Sequence, residues 1–292
     1  MIFKKGFYTA LGSPLDEEGN LVEESLVKEI NMQIEAGASG LLLLGGMGNE
    51  VYIKLSTYKE IVRVGASANN GRIPMFVGAM DCSITKVMEK INSINGAKID
   101  GIVLTTPFYY VMDFAEIVKF YTTIADRSPY PIFLYDMPAA TQMKITLPLI
   151  DKLITHPNIH GIKSADWELL NAIKRKYPDK NFNCLYSGLD NFDYANMIGL
   201  EKNLDGMFTC CPKTTRKLFD CLNAKDFVLA RKYLDEILLL RDTMLSFGLG
   251  GSFTYCMNAL GMNGLFHEDY CLPITKENEE VLKNLLINMG EI

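Results

Sequence analysis

Two short apolar runs each end in a group suited to carbonyl chemistry. Ile132-Phe133-Leu134 leads to Tyr135, and Ile159 through Ile162 leads to Lys163. Runs of this length punctuated by Pro131, Pro138 and Gly161 read as buried parallel strands. Burial disfavours the charged form of an amine, and a neutral amine attacks carbonyl carbon to give an imine. A phenol on the neighbouring strand can carry protons to and from such an adduct. A lone lysine at a strand end is more often a surface cation. The pairing with Tyr135 on the preceding strand, inside a repeating pattern, favours the reactive reading.

Other segments supply polar groups at similar places. The run Leu44-Gly45-Gly46-Met47-Gly48-Asn49-Glu50 brings backbone close to a ligand, and N–H groups at such a turn can cradle a carboxylate. Pro107-Phe108-Tyr109-Tyr110 places aromatics after a strand, where they line a pocket or simply pack. In Ser187-Gly188-Leu189-Asp190-Asn191, Gly188 leaves room for substrate. Asp190 and Asn191 are suited to bonding hydroxyls, and Asp190 also suits a helix cap. Asp81 reads as a helix cap. Thr209-Cys210-Cys211 has no base nearby in sequence, which makes a nucleophilic thiol a weak reading.

These groups need a scaffold, and the chain supplies a repeating one. Strand candidates fall at Phe7–Leu11, Gly40–Leu44, Met75–Gly78, Gly101–Thr105, Pro131–Tyr135, Ile159–Lys163, Cys184–Ser187 and Gly206–Thr209. Helical periodicity follows each, as in Val22–Glu35 with Leu26, Ile30 and Ile34. Strands alternating with helices imply parallel units, and eight of them imply a closed α/β (β/α)8 barrel. The carboxyl ends of barrel strands carry the chemistry of such folds. Beyond the barrel, taken as residues 1–224, the pattern is helical only. Residues 225–292 read as a C-terminal helical region, broken by a flexible turn at Gly248-Leu-Gly-Gly-Ser252.

Composition narrows the function. The 292 residues are 48% hydrophobic with a net charge of −6, and the basic residues are dispersed, which argues against a nucleic-acid footprint. No apolar run approaches the roughly 20 residues needed to span a membrane, and the N-terminus lacks a leader's apolar core. Both point to a cytoplasmic chain. Seven cysteines are scattered without a Cys-x-x-Cys, and there are three histidines, so neither a disulfide framework nor a metal site is expected. The thiols read as reduced and mostly buried.

Four segments together resemble the dihydrodipicolinate synthase / N-acetylneuraminate lyase family. They are the glycine-rich loop at 45–50, Thr105-Thr-Pro-Phe-Tyr-Tyr110, Tyr135-Asp-Met-Pro138 and Gly161-Ile-Lys163-Ser. The family shows Tyr-Asn-x-Pro and Gly-Ile-Lys-Glu/Asp at the last two. The resemblance implies a Schiff-base pyruvate aldolase on a barrel, with Lys163 as the imine-forming amine and Tyr135 as the proton carrier. It implies that Tyr109 is the tyrosine near the active site that a neighbouring subunit sometimes contributes, in a homo-oligomer of two or four chains. Gly46, Met47, Ala140, Gly188, Asp190 and Phe208 fall at substrate-binding positions. No metal and no organic cofactor is implied.

The departures bear on substrate. The family loop reads Gly-Ser/Thr-Thr/Ser-Gly-Glu, whereas Gly46 and Met47 carry no hydroxyl here and Glu50 comes one position late. Dihydrodipicolinate synthases place an arginine where Ala140 stands, and without it bidentate carboxylate binding is lost. The reading therefore favours cleavage of a 2-oxo (deoxy) sugar acid of the N-acetylneuraminate or 2-keto-3-deoxygluconate type. The alternatives are a 4-hydroxy-tetrahydrodipicolinate synthase, a dehydratase sharing the imine step, or a non-catalytic 2-oxo-acid-binding regulator.

Overall fold

A computed structural model describes residues 3–292; Met1 and Ile2, the start of the N-terminal stretch considered above, lie outside the described residues. The first half of the barrel runs β1 (Gly6–Ala10), α1 (Glu23–Glu35), β2 (Gly40–Leu43), α2 (Leu55–Asn69), β3 (Met75–Gly78), α3 (Ile84–Ser93), β4 (Gly101–Thr105) and α4 (Phe114–Arg127). The second half runs β5 (Ile132–Asp136), α5 (Pro138–Thr141), α6 (Leu147–Leu153), β6 (Ile159–Ser164), α7 (Trp167–Lys176), β7 (Asn183–Tyr186), α8 (Phe192–Met197), β8 (Lys202–Asp205) and α9 (Pro212–Ala224). Three further helices follow, α10 (Phe227–Phe247), α11 (Leu249–Ala259) and α12 (Lys276–Met289). The strands are parallel and close in sequence order, β8 pairing back onto β1. The expected (β/α)8 barrel with C-terminal helices is what the chain forms.

Strand alternation divides the apolar residues into two layers. Outward residues such as Leu41, Ile102, Leu134 and Ile162 pack against the helices. Inward residues, including Tyr8, Leu42, Phe76, Val103, Phe133, Leu185 and Leu204, fill the barrel, with Phe3 joining them. Large inward rings need small neighbours. A Cβ on Gly101 or Gly161 would come 2.6 or 2.8 Å from the Phe133 ring, so glycine on both flanking strands makes room for it.

The eighth strand lies at Lys202–Asp205, not at Gly206–Thr209, where Met207–Thr209 form a single 3₁₀ turn. The apolar run misleads here. Leu204 alone of β8 enters the inner layer, and the neighbouring Asn203 is buried by bonding Asn196 and the Leu200 carbonyl. Two further expectations change. Ser83, not Asp81, caps α3, because Asp81 pairs with Lys90 and Lys86. Only Gly248 breaks the chain, while Gly250 and Gly251 lie inside α11. They are small because the 271–274 segment crosses there. A Cβ on Gly250 would meet the Cys271 Sγ at 2.6 Å, and one on Gly251 the Leu272 carbonyl at 2.7 Å.

Candidate active site

The wall formed by β4, β5 and β6 carries the candidate reactive groups. Tyr135 pairs with Thr105 on one side and Lys163 on the other, so the three share one inward layer at the strands' carboxyl ends. An irregularity in the β5–β6 pairing sets this register. Ile132 faces Ile159, but Phe133 faces Gly161, so His160 is the extra residue. Without that extra residue Ile162 would face Tyr135; with it the lysine does. The Lys163 Nζ sits 3.7 Å from the centre of the Tyr135 ring. Lys163 is 9% and Tyr135 8% exposed, so an amine and a phenol meet in a largely dehydrated space. The sequence-derived pairing is thereby brought together.

Behind this wall a carboxylate braces the strand ends. Asp136 points outward and is buried. It accepts from the Lys144 ammonium, from Ser164 Oγ at 2.8 Å and from the Ile145 N–H at 2.9 Å. Lys144 also pairs with Asp166 at 3.0 Å, and the two acids together raise its affinity for the proton against the opposing effect of burial. Asp136 and Ser164 thus occupy one hydrogen bond across β5 and β6, directly beyond Tyr135 and Lys163.

The loop after β2 faces the tyrosine. A Cβ built on Gly46 would lie 3.8 Å from the Tyr135 hydroxyl, so the backbone at Gly46 borders the phenol. Among the described residues, the N–H groups of Gly46 and Met47 donate to no protein acceptor. The loop is held at both ends. Leu44 and Asn49 adopt left-handed backbone, φ 55° and 53°. That is costly for a leucine and persists only where the surroundings enforce it. They do so here: the Leu44 carbonyl occupies the space a Cβ on Gly78 would need, Ser13 Oγ bonds the Gly48 carbonyl at 2.7 Å, and Asn49 Nδ2 reaches the Phe266 carbonyl.

Glu50 anchors the loop from beneath. It is buried, accepts from the Met80 N–H at 3.1 Å and pairs with Lys90 at 2.8 Å, while Lys90 also holds Asp81 at 3.1 Å. Burial pushes its carboxyl up to about 7, and the Lys90 ammonium is the main influence pulling it back. Lys90 and Asp81 escape sequence reasoning because an amphipathic helix and a polar turn explain them equally well.

The other expected residues are placed as follows. Met47 borders the inner cluster and lies over Gly206, where a Cβ would come 2.7 Å from its methyl. Ala140 is exposed on α5, at the rim. Gly188 makes room for the Tyr186 hydroxyl, 2.3 Å from where its Cβ would be. Asp190 does not cap α8; both its oxygens accept from Arg241, at 2.7 and 2.9 Å, and this holds its carboxyl below the usual range. Phe208 is not in the mouth. It is fully buried between barrel and helices, against Phe7, Phe192 and Phe219, because it belongs to the turn after β8 and not to a strand. Tyr109 is 74% exposed and stacks edge-on with Tyr110. Cys210 and Cys211 are sealed in the core, where burial pushes both thiols well up, against any nucleophilic role.

One acid near the amine was not foreseen. Asp205 ends β8 and accepts from the Met207 N–H at 2.8 Å. Burial pushes its carboxyl up, against that bond and the charge of Lys163. The mislocated eighth strand hid it. A groove of about 850 Å³ along the outer face of α1 holds no comparable grouping. Among the described residues no cluster of His, Cys, Asp or Glu is suited to a metal ion, and no helix is long and apolar enough to cross a membrane.

A barrel with an amine and a phenol on adjacent strand ends defines a class, and comparison with known proteins places the chain within it. The model of the dihydrodipicolinate synthetase family matches residues 4–288, and the chain belongs to that family. A 4-hydroxy-tetrahydrodipicolinate synthase of Thermodesulfovibrio yellowstonii is 26% identical over 303 residues, 99% of either chain. An N-acetylneuraminate lyase of Clostridium perfringens is 24% identical over 284 residues, 96% of either chain. Two crystal structures share the fold. YagE, a prophage protein of the dihydrodipicolinic acid synthase family from Escherichia coli in complex with pyruvate, gives a TM-score of 0.87 at 20% identity over 99% of both chains. CdNal from Clostridium difficile in complex with mannosamine gives 0.88 at 22% identity, over 98% of this chain and 99% of that one.

Proposed function

We propose that the chain is a Schiff-base aldolase that acts on pyruvate and an aldehyde, and that its preferred direction is cleavage of a 2-oxo (deoxy) sugar acid. The observation that carries this is the buried Lys163 amine lying 3.7 Å over the Tyr135 ring at the carboxyl ends of adjacent barrel strands. In this reading the unpaired N–H groups of Gly46 and Met47 hold the substrate carboxylate. The Lys163 amine attacks C2, Tyr135 gives its phenol proton to the carbinolamine hydroxyl so that water leaves, and the resulting iminium becomes an electron sink. The Tyr135 oxygen, having given up its proton in that step, takes the proton of the C4 hydroxyl as the C3–C4 bond breaks. The aldehyde departs, the enamine is protonated at C3, and hydrolysis frees pyruvate and the lysine. No redox partner enters the balance.

Substrate class follows from what the rim lacks. Ala140 presents no cation, and Arg241 is engaged by Asp190 and Asp242. A carboxylate on the aldehyde would find no guanidinium there, which favours a hydroxylated partner over aspartate semialdehyde. The synthase reading keeps support from the Thermodesulfovibrio yellowstonii relative. Tyr109 and Tyr110, exposed beside the mouth, suit contact with a second copy in a dimer or tetramer.

Borohydride trapping tests the core of this reading. Pyruvate should leave a stable adduct on the wild type and none on Lys163→Ala; an adduct retained on that variant moves the nucleophile elsewhere. Pyruvate release from a panel of 2-oxo sugar acids, set beside condensation with aspartate semialdehyde, then decides the direction. Trapping without turnover on any of these would leave a 2-oxo-acid-binding protein.

A further inference from the structure

We propose that Thr105 is a substrate-contacting residue, its hydroxyl donating to an oxygen of the 2-oxo acid carried on Lys163. This rests on the Schiff-base reading above. Thr105 closes β4 and is 4% exposed, and its Oγ1 is buried with no hydrogen-bond partner among the described residues. Buried hydroxyls without partners are uncommon, because losing water without a replacement bond is unfavourable.

Its direction follows from the strand. Ile102 and Leu104 pack outward and Val103 packs inward, so Thr105 points into the barrel mouth. The register places it opposite Tyr135, with Lys163 on the far side of that tyrosine. Lys163 does not stand upright on its own strand. Its nitrogen leans across to lie over the Tyr135 ring, one strand nearer Thr105. From there the Thr105 strand is about 4.8 Å away, the spacing of adjacent strands. A three-carbon acid bonded to the nitrogen spans that gap.

The surroundings offer such an acid few other hydroxyls. The facing loop has Gly46 and Met47, and Met80 and Met137 border the same inner cluster. Thr105 is thus a hydroxyl held ready within a thioether-lined mouth. Threonine can donate and accept, and toward a carboxylate or carbonyl oxygen it donates.

Thr105→Val keeps the shape and removes the hydroxyl, while Thr105→Ser restores it. Both should be compared with wild type on the full chain, by borohydride trapping across pyruvate concentrations and by thermal unfolding without ligand. For valine the half-trapping concentration should rise about 10-fold, the usual order for one lost bond to a charged group, and serine should recover most of it. The Tm of the valine variant should equal or exceed that of wild type, since an unpaired hydroxyl has been taken out of the core. Unchanged half-trapping in the valine variant overturns the assignment and leaves the imine reading intact. A valine variant that unfolds at lower temperature also overturns it, by showing that the hydroxyl is bonded within the folded chain. No adduct on wild type removes both readings together.

Discussion

The two sides of the barrel mouth treat buried polar groups in opposite ways. On the β4–β6 side, Thr105, Tyr135 and Lys163 point inward, and the Thr105 hydroxyl has no partner among the described residues. On the β8–β1 side most polar atoms are turned back into the scaffold, with Glu29 Oε2 the exception that finds no partner among the described residues. Asp205 bonds the Met207 N–H. Gln33 on α1 accepts from Thr9 and donates to the Thr209 carbonyl, and Glu29 accepts from the Gly12 N–H and from Thr209 Oγ1, both at 2.8 Å. Burial alone therefore does not mark a working group. What separates the sides is whether the polar atom faces the cavity or the backbone that shapes it.

The sharpest way to break this contrast is to remove the phenol. Tyr135→Phe should keep the inward layer filled and still form the pyruvate adduct, yet lose about 10²–10⁴ in turnover, the usual size of general acid–base catalysis. Steady-state kcat set beside trapping yield measures both. Unchanged kcat would take the proton-carrying role from Tyr135 and leave the reactive side with Lys163 alone.

The reactive side was the legible one. A buried strand ending in lysine, beside a buried strand ending in tyrosine, is written in local order as Ile-Phe-Leu-Tyr and Ile-His-Gly-Ile-Lys. Even there the register depends on the extra residue at His160, which no local pattern reveals. The other side was illegible for a physical reason. Glu29 and Gln33 sit on a helix whose apolar spacing is satisfied by Leu26 and Ile30, and charged residues between such positions ordinarily face water. Only the tertiary arrangement, which turns them toward Gly12 and Thr209, shows that they are buried. The same blindness misplaced the eighth strand and with it Phe208, because Lys202-Asn203-Leu204-Asp205 looks like a loop until Asn196 and Met207 are seen to satisfy its polar atoms.

A second, smaller effect probes the scaffolding side. Burial pushes the Glu29 carboxyl up to about 8, the Thr209 and Gly12 donors notwithstanding. The folded chain then holds a proton that the unfolded chain releases near its ordinary value of 4.5. Stability from this source is complete below about pH 4.5 and declines as pH rises through 8. Urea unfolding between pH 5 and 8.5 should show the wild type losing about 2–4 kcal/mol relative to Glu29→Gln, allowing for relaxation around a buried acid. Glutamine keeps an acceptor for Gly12 and Thr209 without the proton. Parallel slopes for the two proteins would place the titrating group elsewhere.

The smallest effect lies at the rim and carries the opposite sign. Asp190 is held below the usual carboxyl range chiefly by its bond to Arg241, so its contribution is present above about pH 4 and fades as acid protonates it. Its side chain is 61% exposed, and water and salt therefore weaken the pair despite its two-pronged geometry. Asp190→Asn should lower stability by about 1 kcal/mol or less at pH 7 and low salt, and by less still in 1 M salt. As pH falls below the ordinary carboxyl range and then through the lowered folded value, the difference between variant and wild type should shrink to nothing. A penalty above about 2 kcal/mol, or one that grows toward acid, would mean that Asp190 is part of the sealed scaffold and not of its solvated edge. The contrast with Glu29 would then fail where it is most exposed to test, since the two carboxyls would share one environment while differing only in position along the chain.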